Sequence, residues 1–183
     1  RQRQMCIRDR FGTRNGLSRY DGRRITNFER SRSYPSISNL KEVFDGVLAF
    51  VDNGVFSAFD LKKERFLSVV SSSGQGIPSR GMLQRNDSLV WVISGSELHL
   101  MKRCASKEGE LRLRVQEKYT GWNNQDNLLV AITYSSDKKS ICLIDEKGRI
   151  ILLDATNLNS FRVIDLGRTG SCLLYTSDAA DDK

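Results

Sequence analysis

Trp122 is the side chain whose surroundings most suggest contact with a ligand. It lies in residues 121–126, Gly-Trp-Asn-Asn-Gln-Asp, where an aromatic ring stands beside amides in a turn-rich stretch. Carbohydrate sites often use this composition, because a ring can stack on a sugar while amides bond its hydroxyls. The alternative is a ring that anchors its own loop, and we favour that interpretation. Trp122 is therefore a candidate for ligand binding, but the preferred role for its ring is that of a loop anchor.

The remaining reactive side chains form no catalytic or metal-binding pattern. His99 lies between Leu98 and Leu100 in a strand-like alternation, which indicates a surface or inter-sheet histidine. Cys104 and Cys142 have no C-x-x-C spacing and predict no metal site, and two free thiols are favoured over a disulfide. No phosphate-binding loop, serine-hydrolase, zinc-protease or kinase motif is present. We expect no catalytic residue, no metal and no cofactor.

Three aspartates could supply carboxylates to an enzyme that cleaves polysaccharides. Asp21, Asp60 and Asp154, however, each follow a turn glycine by five or six residues and so occupy one position of a repeated pattern. A carboxylate at this position can cap the following turn by accepting backbone N–H bonds. Their recurrence favours turn capping over catalysis.

The turn glycines themselves define the repeat. Gly16, Gly54, Gly95 and Gly148 each separate two short apolar stretches, and they lie 38, 41 and 53 residues apart. Glycine supplies the positive φ that a two-residue hairpin requires. A further apolar stretch precedes each later hairpin, which gives about four strands per unit of about 40 residues. Four-stranded blades stacked radially fit this pattern better than a solenoid or a β-sandwich.

The composition agrees with a folded β protein. The chain has 183 residues, a net charge of +7, 39% apolar residues, 14 glycines and only 2 prolines. Its apolar residues come in short runs, and no run approaches the roughly 18 residues of a membrane helix.

One DNA sequence, inverted, can encode both ends of the chain. Gln4–Asp9 back-translates as CAG ATG TGT ATA AGA GAC, and the complementary strand read in another frame encodes Cys172–Ser177. The shared sequence resembles a transposon-type adapter from sequencing libraries. We therefore interpret 1–10 and 172–183 as non-native and exclude them from fold reasoning.

We predict an all-β fold, a partial β-propeller of about four antiparallel four-stranded blades over 11–171 that is truncated at both ends. The blades are expected at 11–30, 31–72, 77–118 and 126–166, with a polar insertion at 104–110 in the third. Because such an open stack leaves sheet edges and end faces uncovered, we expect the four units alone to fold poorly. The residues expected to form the repeated structural motif are Gly12, Thr13, Gly16, Leu17, Tyr20, Asp21, Gly22, Phe28, Gly54, Asp60, Phe66, Trp91, Gly95, Gly148, Asp154 and Phe161.

Among these, three phenylalanines follow the turn glycine by twelve or thirteen residues. Phe28, Phe66 and Phe161 are expected to be equivalent, and to pack one sheet on the next as bulky apolar anchors.

Residues 11–22, Phe-Gly-Thr-Arg-Asn-Gly-Leu-Ser-Arg-Tyr-Asp-Gly, resemble the blade signature of the two-component regulator propellers. That signature is close to W-I-G-T-x-x-G-L-x-R-Y-D-G followed by a phenylalanine, and Phe11 stands at its isoleucine. Later units match more loosely: 50–54 and 91–95 keep the turn, and the fourth unit keeps only apolar strands and Asp154.

The resemblance implies a non-catalytic, ligand-sensing fragment of a membrane-spanning hybrid sensor histidine kinase of the Bacteroidota type. It implies a periplasmic location, an oligosaccharide ligand and a homodimeric parent. The remaining blades and the kinase domains of that parent would be its partners.

Two other functions stay open from the residues alone. One is a fragment of a propeller enzyme acting on polysaccharide, and the other is a scaffold propeller without a kinase partner. Nucleic acid is not an expected partner, because Arg19 and Arg24 of the basic cluster fall in a strand and a turn without interleaved aromatics.

Overall fold

The computed structural model describes residues 9–13, 16–28, 36–71, 75–105, 111–122 and 127–165. These residues form β-strands joined by turns and loops and contain no helix, so none of them belongs to a helix that could cross a membrane. The strands are β1 (Asp9–Thr13), β2 (Gly16–Tyr20), β3 (Ile25–Phe28), β4 (Ile37–Phe44), β5 (Val47–Asp52), β6 (Val55–Asp60), β7 (Arg65–Phe66), β8 (Ser68–Val70), β9 (Gly81–Asn86), β10 (Leu89–Ser94), β11 (Glu97–Ala105), β12 (Leu111–Tyr119), β13 (Leu129–Tyr134), β14 (Ser140–Asp145), β15 (Arg149–Asp154) and β16 (Phe161–Asp165).

The strands form four sheets in chain order. The described part of the first sheet is β1-β2-β3, the second is β4-β5-β6-β7, and the fourth is β13-β14-β15-β16. The third has the order β8-β12-β11-β10-β9. All pairings within the sheets are antiparallel except β8 with β12. The predicted all-β fold of four-stranded antiparallel blades is confirmed.

The first strands of the later sheets converge on one another. β4 contacts β9, β9 contacts β13, and β1 contacts β4. The sheets therefore stack face to face with their inner edges together, which is the radial arrangement of propeller blades.

Three apolar clusters fill the junctions between successive sheets. The first joins sheets one and two through Leu17, Leu48, Phe50 and Phe59. The second joins sheets two and three, and the third joins sheets three and four. Fully buried members of these two clusters are Ala49, Ala58, Val90, Val92, Met101, Leu113, Ile93, Leu98, Ile141, Leu143 and Leu153.

The third sheet takes a strand from the preceding unit. β8 pairs in parallel with the outermost strand β12, with Leu113 opposite Val69. β7 has only two residues and ends at Phe66, after which the chain crosses to the outer edge of the third sheet. β8 thereby covers an edge that would otherwise expose unpaired backbone groups.

The predicted polar insertion of the third unit begins later than the sequence suggested. Cys104 and Ala105 belong to β11 and pair with Arg112 and Leu111 of β12, so the hairpin simply has two long strands. Residues 106–110 lie outside the described part of the chain.

Gly12 sets how closely the first two sheets can approach. A Cβ at this position would lie 2.5 Å from Cγ2 and 2.8 Å from Cβ of Ile37, the first residue of β4. Such distances are far inside van der Waals contact, so only glycine fits without a shift of β1 or β4. This explains the Gly-Thr pair of the first unit, since glycine is required there by packing.

We expect Gly12→Ala to lower the free energy of unfolding by about 1–3 kcal/mol, because the added methyl group overpacks the junction. Gly121→Ala is the matched control, since a Cβ at Gly121 meets nothing within 4 Å. Chemical unfolding of both variants measures the difference. Equal stability of the two variants would contradict the close approach of β1 and β4.

Candidate functional site

The turn glycines adopt the backbone conformation that their hairpins need. Gly16, Gly54, Gly95 and Gly148 have φ of 107°, 76°, 61° and 80°. In the first hairpin the Thr13 hydroxyl also donates to the Gly16 carbonyl oxygen at 3.0 Å. The 11–22 motif therefore begins with residues that close a turn.

The three equivalent aspartates cap the turns that follow them. Asp21 Oδ1 accepts the N–H groups of Arg23 and Arg24 at 3.0 and 2.8 Å. Asp60 Oδ1 accepts the N–H groups of Lys62 and Lys63 at 2.8 and 3.0 Å in the turn after β6. Asp154 Oδ1 accepts two backbone N–H groups at 2.7 and 3.1 Å and the Thr156 hydroxyl at 2.6 Å. All three carboxylates are thus engaged in the same local role.

These hydrogen bonds lower the pKa of two of the three carboxyl groups. The backbone N–H groups of Arg24 and Arg23 lower the pKa of Asp21. The Thr156 hydroxyl, followed by the N–H groups of Thr156 and Asn157, lowers the pKa of Asp154. In both cases the bonds favour the charged form of the carboxyl.

Asp145 is a further capping residue, one that the repeat pattern did not mark. Its Oδ1 accepts the N–H groups of Lys147 and Arg149 at 3.0 and 2.9 Å, and its Oδ2 accepts Arg149 Nε–H at 2.7 Å. The carboxylate is buried and closes the β14–β15 turn. Its signal in the sequence was its place three residues before Gly148.

The three phenylalanines grouped by spacing are not equivalent. Phe28 pairs with Leu17 and packs its ring 4.9 Å from Phe59 in the second sheet. Phe66 and Phe161 instead pair with the residues just before Asp60 and Asp154, so they face the preceding sheet. Phe161 is 43% exposed, and its expected anchoring role is wrong. The cause is turn length, which spacing from the glycine does not reveal.

Trp122 is buried against the third and fourth sheets. Its side chain is 6% exposed and lies in the cluster with Leu129 and Ile141. With its ring enclosed, Trp122 matches the interpretation that the sequence favoured, an aromatic that fixes its loop. The neighbouring amides 123–126 lie outside the described residues.

A second aromatic group lies in the same junction. Trp91 packs edge-on against Tyr119 at 5.7 Å, and the Arg85 guanidinium lies 5.1 Å from the Trp91 ring centre. The Tyr119 hydroxyl donates to Glu117. Burial, together with this hydrogen bond and the Glu117 charge, raises the pKa of Tyr119 to about 12. The group is held by internal contacts, with a cation–π pair at its centre.

His99 lies in the junction between the second and third sheets. It pairs with Val92 and is buried, and its Nε2 lies 2.6 Å from Glu97 Oε2. Lys118 Nζ lies 3.8 Å from the same carboxylate oxygen. Of the two positions that the alternation left open, surface or inter-sheet, His99 occupies the inter-sheet one.

Two other predicted groups are placed by the structure. Arg19 forms an ion pair with Glu64 of the second sheet and lies 5.9 Å from the Phe28 ring centre, so it ties two sheets together. Cys104 and Cys142 are free thiols in different sheets. Burial raises the pKa of Cys142. Within the described residues, no cluster of His, Cys, Asp and Glu could hold a metal ion.

Along one edge of the stack, backbone hydrogen bonds join hairpin turns to the loops that lead into the inner strands of the sheets. We call it the connection edge, defined by the β5–β6, β10–β11 and β14–β15 turns and residues 36, 77–80 and 127–128. Ser79 N–H donates to the Gly54 oxygen at 2.7 Å, and Leu129 N–H donates to the Gly95 oxygen at 2.8 Å. These repeated bonds hold the edge as one surface.

Leu128 is an exposed apolar side chain on the connection edge, directly before the inner strand β13. It is 37% exposed. Glu146 N–H donates to the Leu128 oxygen at 2.9 Å, and Leu128 N–H donates to Glu146 Oε1 at 3.4 Å. An apolar group beside a carboxylate is therefore presented to solvent from a fixed backbone. No sequence pattern distinguishes Leu128 from the other residues of its apolar run.

Sheets stacked through both faces with converging inner strands define the class of this protein as a β-propeller. Solved propellers are similar in structure. The extracellular domain described as a hybrid two-component system of B. thetaiotaomicron matches 85% of this chain and 21% of that chain, with a TM-score of 0.60 and 14% identity.

Two further structures show the same likeness of fold. The dihydro-haem d1 dehydrogenase NirN matches 84% of this chain and 34% of its own, with a TM-score of 0.56 and 17% identity. The Cps50 (Swd1) β-propeller domain of Myceliophteria thermophila matches 84% of this chain and 50% of its own, with a TM-score of 0.54 and 16% identity. The chain thus spans between a fifth and a half of the proteins it matches. No family model and no curated protein matches the sequence.

We expect Asp154→Ala to lower the melting temperature at pH 7, because two backbone N–H groups and the Thr156 hydroxyl lose their acceptor. The folded-state pKa of Asp154 is below its ordinary 3.8, so this stabilisation is present above the unfolded pKa and disappears as pH falls through the folded pKa. The difference in melting temperature between wild type and Asp154→Ala should therefore shrink as the pH falls below 3.8 and through the folded-state pKa. Asp154→Asn, which keeps an acceptor oxygen, is the control and should lie between them at pH 7. A gap that is independent of pH would contradict the capping role of the charged carboxylate.

Proposed function

We propose that this chain is a non-catalytic, ligand-sensing propeller segment of a membrane-spanning two-component sensor and that its ligand is an oligosaccharide. The observation that carries the proposal is the 11–22 motif, which resembles the blade signature of two-component regulator propellers. Its described residues lie in β1, in β2 and in the capped turn after β2, all within one propeller sheet. The likeness of fold to the extracellular domain described as a hybrid two-component system supports it. The proposal places the segment on the periplasmic side of the membrane.

The non-catalytic part of the proposal rests on the use of the carboxylates. An enzyme that cleaves glycosidic bonds needs two carboxyl groups that flank one bond, about 5–10 Å apart. Asp21, Asp60 and Asp154 instead sit one on each of three different sheets, and each accepts backbone N–H bonds from its own turn. A carboxylate held in this way stabilises a turn and is not free to act on a substrate.

The connection edge is the surface we assign to the ligand. Its turns and inner-strand connections are bonded to each other, so it is preorganised, and preorganisation reduces the entropic cost of binding. Leu128 beside Glu146 offers an apolar surface next to a hydrogen-bond acceptor, a combination that suits the alternating apolar and hydroxyl faces of a sugar.

We expect at least one pool of oligosaccharides, taken from a panel of neutral and acidic plant and host polysaccharides, to raise the melting temperature of the 183-residue chain. A ligand at 100 times its Kd would add about 2.7 kcal/mol of stability. Mass spectrometry of the same pool should show every oligosaccharide unchanged after incubation.

Leu128→Ser should reduce the rise in melting temperature that the oligosaccharides cause, while Val163→Ser should leave that rise unchanged. Val163 is the matched control, because it is an aliphatic residue of similar exposure on the outermost strand of the fourth sheet. Fragmented oligosaccharides would replace the sensor proposal with that of a polysaccharide-cleaving enzyme. No thermal response to any pool would remove the oligosaccharide ligand from the proposal.

A further inference from the structure

A polar residue ends the strand that enters each of the four glycine turns. Thr13, Asp52, Ser94 and Asp145 are the last residues of β1, β5, β10 and β14. Asp52 and Asp145 carry the same side chain at this place, and each is only 2% exposed. They therefore allow one carboxylate to be compared in two different turns.

The Asp145 carboxylate is fully bonded within its own turn. Residues 146–148 separate it from Arg149, and this loop brings the N–H groups of Lys147 and Arg149 to Oδ1 at 3.0 and 2.9 Å. Arg149 Nε–H also donates to Oδ2 at 2.7 Å. Both oxygens thus have donors, and a guanidinium lies beside the buried negative charge.

The Asp52 carboxylate lies in a turn that is one residue shorter. Only Asn53 and Gly54 stand between Asp52 and its strand partner Val55. Val55 follows this turn as Arg149 follows the other, but a valine side chain has no donor and no charge. Asp52 Oδ1 is buried and has no hydrogen-bond partner among the described residues. The shorter turn therefore leaves a buried acceptor unsatisfied.

An unpaired buried carboxylate is unfavourable, because its charge has lost water without gaining a donor. Asp52 lies at the connection edge, directly before the exposed turn residues Asn53 and Gly54. The backbone beside it is fixed, since Asn53 N–H donates to the Ser36 oxygen at 3.0 Å and Ser36 N–H donates to Asn53 Oδ1 at 3.1 Å. A group that costs stability, at the edge we assign to the ligand, is typical of a binding site.

We propose that Asp52 binds a primary ammonium group of the ligand, which in an oligosaccharide is the amino group of an amino sugar. An ionised carboxylate only accepts hydrogen bonds, and its strongest complement is a charged donor. An ammonium group is compact and carries three N–H donors, so it suits a carboxylate beneath a two-residue turn. This inference rests on the assignment of the connection edge to an oligosaccharide and adds the charged group that the sugar carries.

The melting temperature of the 183-residue chain without ligand tests whether Asp52 is unpaired. Asp52→Asn keeps the shape of the side chain and removes its charge, so it should raise the melting temperature. Asp145→Asn is the matched control, because it removes a charge that Arg149 neutralises, and it should lower the melting temperature. Circular dichroism should show the same β-sheet content in all three proteins. An unchanged or lower melting temperature for Asp52→Asn would show that its charge costs no stability and would overturn the proposal.

Isothermal titration calorimetry with three probes tests the chemistry of the ligand. A glucosamine hexamer, at a pH where its amino groups are charged, should bind wild type and should bind Asp52→Asn about 10- to 100-fold more weakly. An N-acetylglucosamine hexamer has the same rings without the charge, and its binding should not depend on Asp52. The third probe, 1,4-diaminobutane, carries ammonium groups without a sugar. If its binding depends on Asp52 and that of the glucosamine hexamer does not, the group comes from a free amine.

Equally tight binding of the two hexamers to wild type would overturn the ammonium site. Asp52-independent binding of both amine probes, or no binding of either, would overturn it as well. In these cases a thermal response to the neutral or acidic oligosaccharide pools would leave the proposed sensor function standing. The absence of any response to those pools would instead remove the oligosaccharide ligand together with the ammonium site.

Discussion

The structure depends on apolar packing between neighbouring sheets. A single sheet of this size has two apolar faces and cannot bury either within itself, so each sheet gains its core only from its neighbours. Fully burying a large apolar side chain contributes about 1.5–3 kcal/mol, and each junction combines several such side chains. The stability of any sheet is therefore a property of the stack. Contacts such as Phe28 with Phe59, Arg19 with Glu64 and Gly12 with Ile37 all belong to a junction.

The repeated polar residues serve this packing by fixing where each strand ends. Glycine at positive φ and a capping aspartate determine how long a hairpin is and therefore which residues reach the next sheet. The 11–22 motif contains several of these structural residues. Thr13 bonds within the first turn, Asp21 caps the second, and Gly12 lies at the close approach to β4. Its resemblance to a sensor family thus rests on residues that build a blade, while the surface assigned to a ligand lies at the connection edge.

Much of the fold could be predicted because period-two apolar runs and turn glycines are local signals. The hairpins around Gly16, Gly54, Gly95 and Gly148 and the capping by Asp154 follow from such signals. The predictions that failed depended on the lengths of turns and on contacts with neighbouring sheets. Phe28 was grouped with Phe66 because spacing from a glycine ignores the length of the turn between two strands.

Other features had no local signal at all. β8 is a three-residue stretch, Ser68–Val70, and nothing in its own sequence indicates that it pairs with β12 of the next sheet. The burial of Trp122 depends on residues of the third and fourth sheets that are distant from it in the sequence, such as Ile141 and Leu153. Residue type alone therefore offered the buried Trp122 ring as a ligand-binding candidate, although its role as a loop anchor was preferred, and it did not point to the exposed Leu128 side chain.

The packing of sheet on sheet in chain order is the central claim, and a double-mutant cycle on Phe28 and Phe59 tests it most directly. Their rings lie 4.9 Å apart across the first junction. Phe→Leu variants, single and combined, should show a coupling energy of about 0.5–1.5 kcal/mol in chemical unfolding. The same cycle on Phe28 and Phe161, which lie in the first and fourth sheets, should be additive within about 0.5 kcal/mol. Additivity of Phe28 and Phe59 would contradict the stacking of the first two sheets and the account built on it.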